Sequence, residues 1–178
     1  TLCDLLENHG FSVTRGAGSL DTAFVAEYDS KKPGPVFAFM AEYDALPEIG
    51  HACGHNLIGT SAAGAGVILK EIMEKYGIGG KLKVLGTPAE ENGSGKITML
   101  DEGIFEGVDT ALIMHPSDMS MADDISFAAV NMKYTFKGRP AHSAACPWKG
   151  ADALNGVIQM FNAVDSQRVH FKDYTRVH

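Results

Sequence analysis

Apolar residues fall into short compact runs separated by amphipathic stretches over most of this chain. Leu2, Leu5 and Leu6 share one helical face, and His9-Gly10 closes that helix, read at residues 2–8. Residues 11–13 and 22–28 have short strand character. Pro33-Gly34-Pro35 is a turn, and residues 36–41, apolar throughout, suit a strand buried in a sheet. Residues 44–56 read as a loop of polar and small side chains. Residues 57–76 predict the clearest helix; its Gly and Ala positions allow close approach, and Gly77, Gly79 and Gly80 end it. A strand at 81–86 closes at Thr87-Pro88. A short helix at 97–102 stops at Gly103, and a buried strand at 110–114 delivers His115 at its carboxyl end. Strands alternating with helices, with polar residues gathered after the strand ends, indicate an α/β sheet with a site at its carboxyl edge.

The pattern changes near Ser126. Residues 128–136 alternate, with Val130, Met132, Tyr134 and Phe136 on one side, as a half-buried strand should. Residues 138–150 form a loop, and 151–164 an amphipathic helix through Leu154, Val157, Ile158 and Phe161. Residues 165–178 read as a turn with a strand entering the same sheet. The expected division is therefore 1–125, an α/β domain, and 126–178, the start of a smaller α+β domain. The second domain reads as cut part-way, and Thr1 is not read as a natural start.

Composition narrows the function. A length of 178 residues can bury a real core, and 45% hydrophobic with 21% charged residues is globular. A formal charge of -7 argues against nucleic acid, whose backbone calls for clustered Lys and Arg. The longest apolar run of helical character, 57–69, is too short and too rich in Gly and Ala to cross a membrane. Cys3, Cys53 and Cys146 are an odd count with one member inside a histidine cluster, which fits a reducing compartment and makes cytoplasm the default.

The candidate chemistry sits after the strands. Cys53 and His55, separated by one glycine, occupy the loop before the long helix; Glu91 follows the strand at 81–86, and His115 the strand at 110–114. Thiolate and imidazole suit Zn, Mn, Co or Ni, whereas Mg or Ca sites are built mainly of oxygen. Singly, each residue has an ordinary explanation: a strand-end histidine as surface, a buried cysteine as a small hydrophobe, paired glutamates as solvated charge. Together they point to a metal site. A hydrolase also needs a carboxylate that takes a proton from the attacking water and gives it to the leaving amine, and Glu90 is the candidate. Asp44 is placed to orient a ligand histidine. Nucleophilic catalysis by Cys53 with His55 or His51 is a rival; a non-enzymatic metal-binding protein and an inactive fragment are others.

The motifs AEYDALPEIGHACGHN, GTPAEENGSGK, IMHP and FKGRPAHSAACPWKGADAL, in that order, resemble the M20 peptidase/amidohydrolase family of aminoacylases, carboxypeptidases, auxin-conjugate hydrolases and dipeptidases. They are most similar to its cysteine-ligand branch, with p-aminobenzoyl-glutamate hydrolase and β-alanyl-lysine-type dipeptidases. The resemblance implies a three-layer zinc-peptidase-like catalytic domain, incomplete here, and an inserted α+β domain through which such proteins form homodimers. It implies two divalent transition metal ions, Zn or Mn before Co or Ni. Cys53 would be shared between them, with His55, Glu91 and His115 as further ligands, Glu90 as general base and Asp44 steadying the centre. His142 would reach a partner subunit's site to stabilise the oxyanion. The implied substrate is an N-acyl amino acid or a dipeptide.

The chain also departs from the pattern. Glu42 stands where the wider family commonly has His, Asn56-Leu57-Ile58-Gly59 where the branch often has Asp-x-x-His, and Pro147-Trp148 where it usually has Pro-His. These differences fit the dipeptidase-like side better. The family's last metal ligand, a C-terminal histidine, has no match before His178.

Overall fold

The apolar run at Val36–Ala41 forms β3, flanked by parallel neighbours on both sides: β4 (Lys81–Gly86) and β5 (Thr110–Leu112). The computed structural model describes residues 1–122 and 126–178. The five-stranded sheet has the order β1-β2-β4-β3-β5, where β1 (Ser12–Arg15) and β2 (Phe24–Asp29) continue it antiparallel from β4. Ala41 is level with Gly86, and Phe39 with Leu112, so β3, β4 and β5 finish along one edge. Two compact units, Thr1–Ser120 and Met121–His178, make up the chain; the boundary expected after residue 125 lies outside the described residues.

Alternation along the strands gives the first unit three layers. Phe24, Ala26, Leu82 and Val84 turn to one face and pack with Leu6 of α1 (Leu2–Asn8) and with Ala62, Ala63 and Met73 of α2 (His55–Tyr76). Ala23, Val25, Ala38 and Leu85 turn to the other face and meet Met99 of α4 (Gly95–Asp101) and Ala17 of a short 3-10 turn. A four-residue helix, α3 (Glu90–Gly93), fills the turn between β4 and α4. This α/β arrangement is the one the alternating pattern predicts.

Several boundaries differ from the sequence reading. The long helix begins at His55 rather than Leu57, because Gly54 caps it in the left-handed region (φ 83°) and winding starts before the apolar pattern does. β5 ends at Leu112; Ile113 and Met114 lie beyond the pairing. Phe11 is a core residue just ahead of β1 rather than part of it.

In the second unit α5 (Ala153–Gln167) begins two residues after the expected 151 and runs three past 164, its first N–H groups capped by the Asp152 carboxylate, which accepts from Leu154 and Asn155 at 3.0 and 3.4 Å. Residues 128–136 and 165–178 form no strand among the described residues; an isolated bridge joins Arg139 to Ala151, and Arg168–His170 is a 3-10 turn. Alternation tells which side chains would share a face, but a strand also needs a neighbour for its N–H and C=O groups. Val130, Met132 and Tyr134 are exposed.

At Gly66 α2 comes close against the sheet: a Cβ there would lie 2.4 Å from Val84 Cγ2. Helix propensity alone would make Gly66→Ala stabilising by about 1 kcal/mol. Overpacking against a β-branched core residue costs about 1–3 kcal/mol and is expected to win. Urea unfolding should show a lower midpoint for Gly66→Ala; a higher midpoint would mean the helix shifts away at no cost.

Candidate metal centre

Three strand ends and one helix start supply the site. Beyond β3 the strand alternation persists for three residues. Tyr43 turns to one side, stacking on Phe24 (6.0 Å between centroids) and donating its hydroxyl to the Thr22 carbonyl at 2.6 Å. Its neighbours Glu42 and Asp44 both approach His55. After β4, the Thr87 amide donates to the Ala41 carbonyl at 2.8 Å, tying the two strand ends together. Ala89 then adopts a left-handed conformation (φ 60°) that turns the chain into α3 and its two glutamates. Between Cys53 and His55, Gly54 needs its positive φ and has Pro116 against it: a Cβ would sit 3.0 Å from that ring. The glycine thus lets the two candidate ligands stand beside the loop that carries His115.

Asp44 holds the arrangement. One carboxylate oxygen accepts from His55 Nδ1 at 3.0 Å, and the other accepts from the Glu91 amide at 3.0 Å. Partial burial pushes the Asp44 carboxyl up, but the Glu91 amide and the His55 imidazole outweigh it and hold the group below its ordinary value. With Nδ1–H committed to Asp44, His55 presents the lone pair of Nε2. His115 is set the same way, its Nδ1 donating to the Pro116 carbonyl at 2.9 Å and its Nε2 lying 3.4 Å from Cys53 Sγ.

Around the His55 Nε2 atom lie Glu42 Oε2 at 3.5 Å, Glu91 Oε1 at 3.8 Å and Glu90 Oε2 at 3.9 Å. Two groups of donors fall within 4.8 Å of one another, Cys53 with His55 and His115, and His55 with Glu90 and Glu91. His55 belongs to both. His55 Nε2, Glu91 Oε1 and Glu42 Oε2 are buried without a hydrogen-bond partner. Each such atom costs about 1–3 kcal/mol, and lone pairs facing one another cannot satisfy each other. A cation among them does, and sulfur, imidazole and carboxylate together select a divalent transition metal. The donors fit a metal, and the cluster is a metal-binding site.

Glu90 is the more open of the two glutamates, 44% exposed against 18% for Glu91. Burial, then Glu91, Glu90 and Glu42, pushes the Cys53 thiol above its ordinary value. A cysteine nucleophile needs the opposite environment, whereas a coordinating thiol is deprotonated by the metal itself. His142 lies in the second unit, where its Nδ1 accepts from the Ala144 and Ala145 amides at 3.2 and 3.1 Å. The sequence reading noted Glu42 only as a departure and passed over Lys96, whose ammonium pairs with Glu42. An acid placed directly after a fully apolar strand was the available signal, since such a residue is rarely buried unless paired.

A profile of peptidase family M20/M25/M40 matches residues 38–173. One of the p-aminobenzoyl-glutamate hydrolase polypeptides of Escherichia coli is 38% identical over 99% of this chain and 40% of its own length. The Xaa-Arg dipeptidase of Mus musculus is 40% identical over 89% of this chain and 38% of its own. Among solved structures, the Bacillus subtilis YXEP protein, a dinuclear metal binding peptidase from the M20 family, superimposes with a TM-score of 0.54 at 27% identity, covering 62% of this chain and 34% of that one. This chain spans about 40% of the length of the curated relatives named here.

Replacing Asp44 tests the arrangement directly. In Asp44→Asn the amide can still accept from one partner but faces the other with an NH2 group, so metal affinity should fall about 10–100-fold. The acid response should change as well. A carboxyl held below its unfolded value of about 3.9 contributes stability above that pH and loses it as pH falls through the folded value. Asp44→Asn should therefore flatten the stability profile below about pH 4 in urea titrations; an unaltered profile and unaltered affinity would remove Asp44 from this role.

Proposed function

This chain belongs to peptidase family M20/M25/M40, and from that premise we propose that the protein carrying it is a metal-dependent amidohydrolase acting on an N-acyl amino acid or a dipeptide. The observation that carries the reading is the convergence of His55, Glu91 and Glu90 on one buried point beside Cys53 and His115, with His55 Nε2 and Glu91 Oε1 left without partners. Cys53, His55, Glu91 and His115 are the proposed ligands of two divalent ions, Zn or Mn in preference to Co or Ni. Bound there, the ions supply Lewis acidity, polarising the scissile carbonyl and making the attacking water more acidic.

The chain's own residues do the rest. Asp44 fixes the His55 ring and, through the Glu91 amide, the position of α3. Glu90, exposed enough to meet substrate, takes the proton from the attacking water as its oxygen bonds to the carbonyl carbon. It then delivers that proton to the amine nitrogen as the C–N bond breaks, leaving a carboxylic acid and a free amine, which become carboxylate and ammonium once the acid's remaining proton passes to the amine. His142 has the tautomer an oxyanion requires: because Nδ1 accepts two backbone N–H groups, the neutral ring carries its proton on Nε2 and presents a donor. We assign that donor to the developing oxyanion in the site of a second copy, with residues 126–178 as part of the dimerising domain. Cytoplasmic residence fits three free cysteines. Among the described residues no helix is long and apolar enough to cross a membrane.

The names of the relatives support an amide between an acyl group and an amino acid: one belongs to a p-aminobenzoyl-glutamate hydrolase, the other is an Xaa-Arg dipeptidase. Glu90→Gln in the full-length protein should lower kcat by at least about 100-fold with metal content unchanged by elemental mass spectrometry; loss of metal would make Glu90 a ligand instead. His142→Ala should lower kcat by about 100-fold or more with little change in KM, as removal of an oxyanion donor does. A rise in KM alone would make His142 a substrate-binding residue.

A further inference from the structure

The loop that carries His142 is closed at its neck by one residue, Arg139. Its backbone exchanges hydrogen bonds with Ala151, N–H to carbonyl at 2.9 Å in both directions. The two sides of the neck touch: a Cβ on Gly138 would lie 2.8 Å from the Ala151 carbonyl oxygen, and one on Gly150 3.3 Å from Ala141 Cβ. Arg139 then adds a third rung with its side chain, where Nε–H donates to the Lys149 carbonyl at 2.6 Å.

That third rung is continuous with His142. The His142 carbonyl accepts from the Cys146 amide at 3.0 Å, the Cys146 carbonyl accepts from the Lys149 amide at 3.0 Å, and the Lys149 carbonyl accepts from Arg139 Nε. With the covalent path from Arg139 through Pro140 and Ala141, these bonds close a ring on His142. Inside it the imidazole Nδ1 takes the Ala144 and Ala145 amides at 3.2 and 3.1 Å. The Lys149 carbonyl is the last of the 3-10 turn Pro147–Lys149, and a cationic side chain is a fitting donor to the end of such a turn. Without it the turn would join the neck through Gly150 alone, a residue with no side chain to restrict its backbone.

We propose that Arg139 is a positioning residue for His142: its Nε–H holds the turn on which the hydrogen bonds of the histidine close, and so sets where the imidazole stands. A hydrogen bond at an exposed position adds little to stability. Its effect on catalysis is larger, because displacing a reacting group by about 1 Å costs about 100-fold in rate. The planar guanidinium fixes the direction of Nε–H, whereas lysine carries a methylene at that place in the side chain and glutamine carries an amide nitrogen.

The inference rests on the assignment of His142 to the oxyanion, and the experiment separates the two. In the full-length protein, kcat and KM would be measured on a dipeptide or an N-acetyl amino acid, whichever the parent hydrolyses faster. Hydrogen exchange at the Ala144 and Ala145 amides would be followed by mass spectrometry. Arg139→Met and Arg139→Lys, both without a donor at the Nε position, should lower kcat by about 10–100-fold at unchanged KM and lose amide protection. Arg139→Gln, which restores the donor without the charge, should keep most of both. In a His142→Ala background Arg139→Met should cost nothing further. Should Arg139→Met fail to fold, Arg139→Lys takes its place. An equal loss of kcat in both backgrounds, a rise in KM, or activity kept by Lys and lost by Gln would each overturn the inference; the last two would make Arg139 a charge that binds substrate. If His142→Ala is slow while every Arg139 variant matches the parent, the role of Arg139 alone fails. If His142→Ala itself matches the parent, the oxyanion assignment fails and this inference with it.

Discussion

The Asp44 carboxylate joins three pieces of chain at the site: the end of β3, the start of α2 and α3. It extends from the end of β3, accepts the imidazole proton at the first residue of α2, and accepts the backbone amide of Glu91 in α3. Hydrogen bonds to an ionised acceptor are worth about 1.5–3 kcal/mol each, roughly twice a neutral one. Here that energy orients the His55 ring and fixes the four-residue helix that carries both glutamates. Such a helix is far too short to stand by propensity, and the left-handed Ala89 before it adds strain. Without Asp44 neither His55 Nε2 nor Glu91 Oε1 would have a defined direction.

Backbone and carboxylate partners also sort the histidines by task. His55 and His115 each give their Nδ1 proton to an oxygen, Asp44 in one case and the Pro116 carbonyl in the other, and each is left with a bare Nε2. His142 has the reverse setting: two amides donate to its Nδ1, so its outer nitrogen keeps the proton. The local partner thus decides which ring nitrogen is left bare and which carries the proton.

The sheet was legible from the apolar run at 36–41 and from the turn residues that close the others, such as Thr87-Pro88 after 81–86. The donors at those ends were legible only as a set: each has an ordinary explanation alone, and the structure gathers Cys53, His55 and His115 in one group and His55, Glu90 and Glu91 in another. What escaped the sequence was set by contacts distant along the chain or by missing ones. The start of α2 at His55 depends on Gly54 fitting against Pro116, and the burial of Glu42 depends on a lysine on α4. Neither pairing leaves a periodic trace. Residues 128–136 failed in the opposite sense: the alternation is real, but no neighbouring strand accompanies it among the described residues.

The centre is also a concentration of unfavourable terms in an otherwise satisfied fold. Glu42, Glu91 and His55 each bury an unpartnered polar atom, and three carboxylates stand within 4 Å of one ring nitrogen. The central strands of the first unit are packed on both faces by helices and a 3-10 turn, which can support that load. Folding without a cation must overcome the whole repulsion, whereas folding with one turns the same atoms into bonds. A cation bound there would stabilise the folded chain by linkage. A site assembled from satisfied groups would fold more easily and bind less tightly. The buried conflict around His55 Nε2 is what makes these strand ends a receptor for a metal rather than a polar surface.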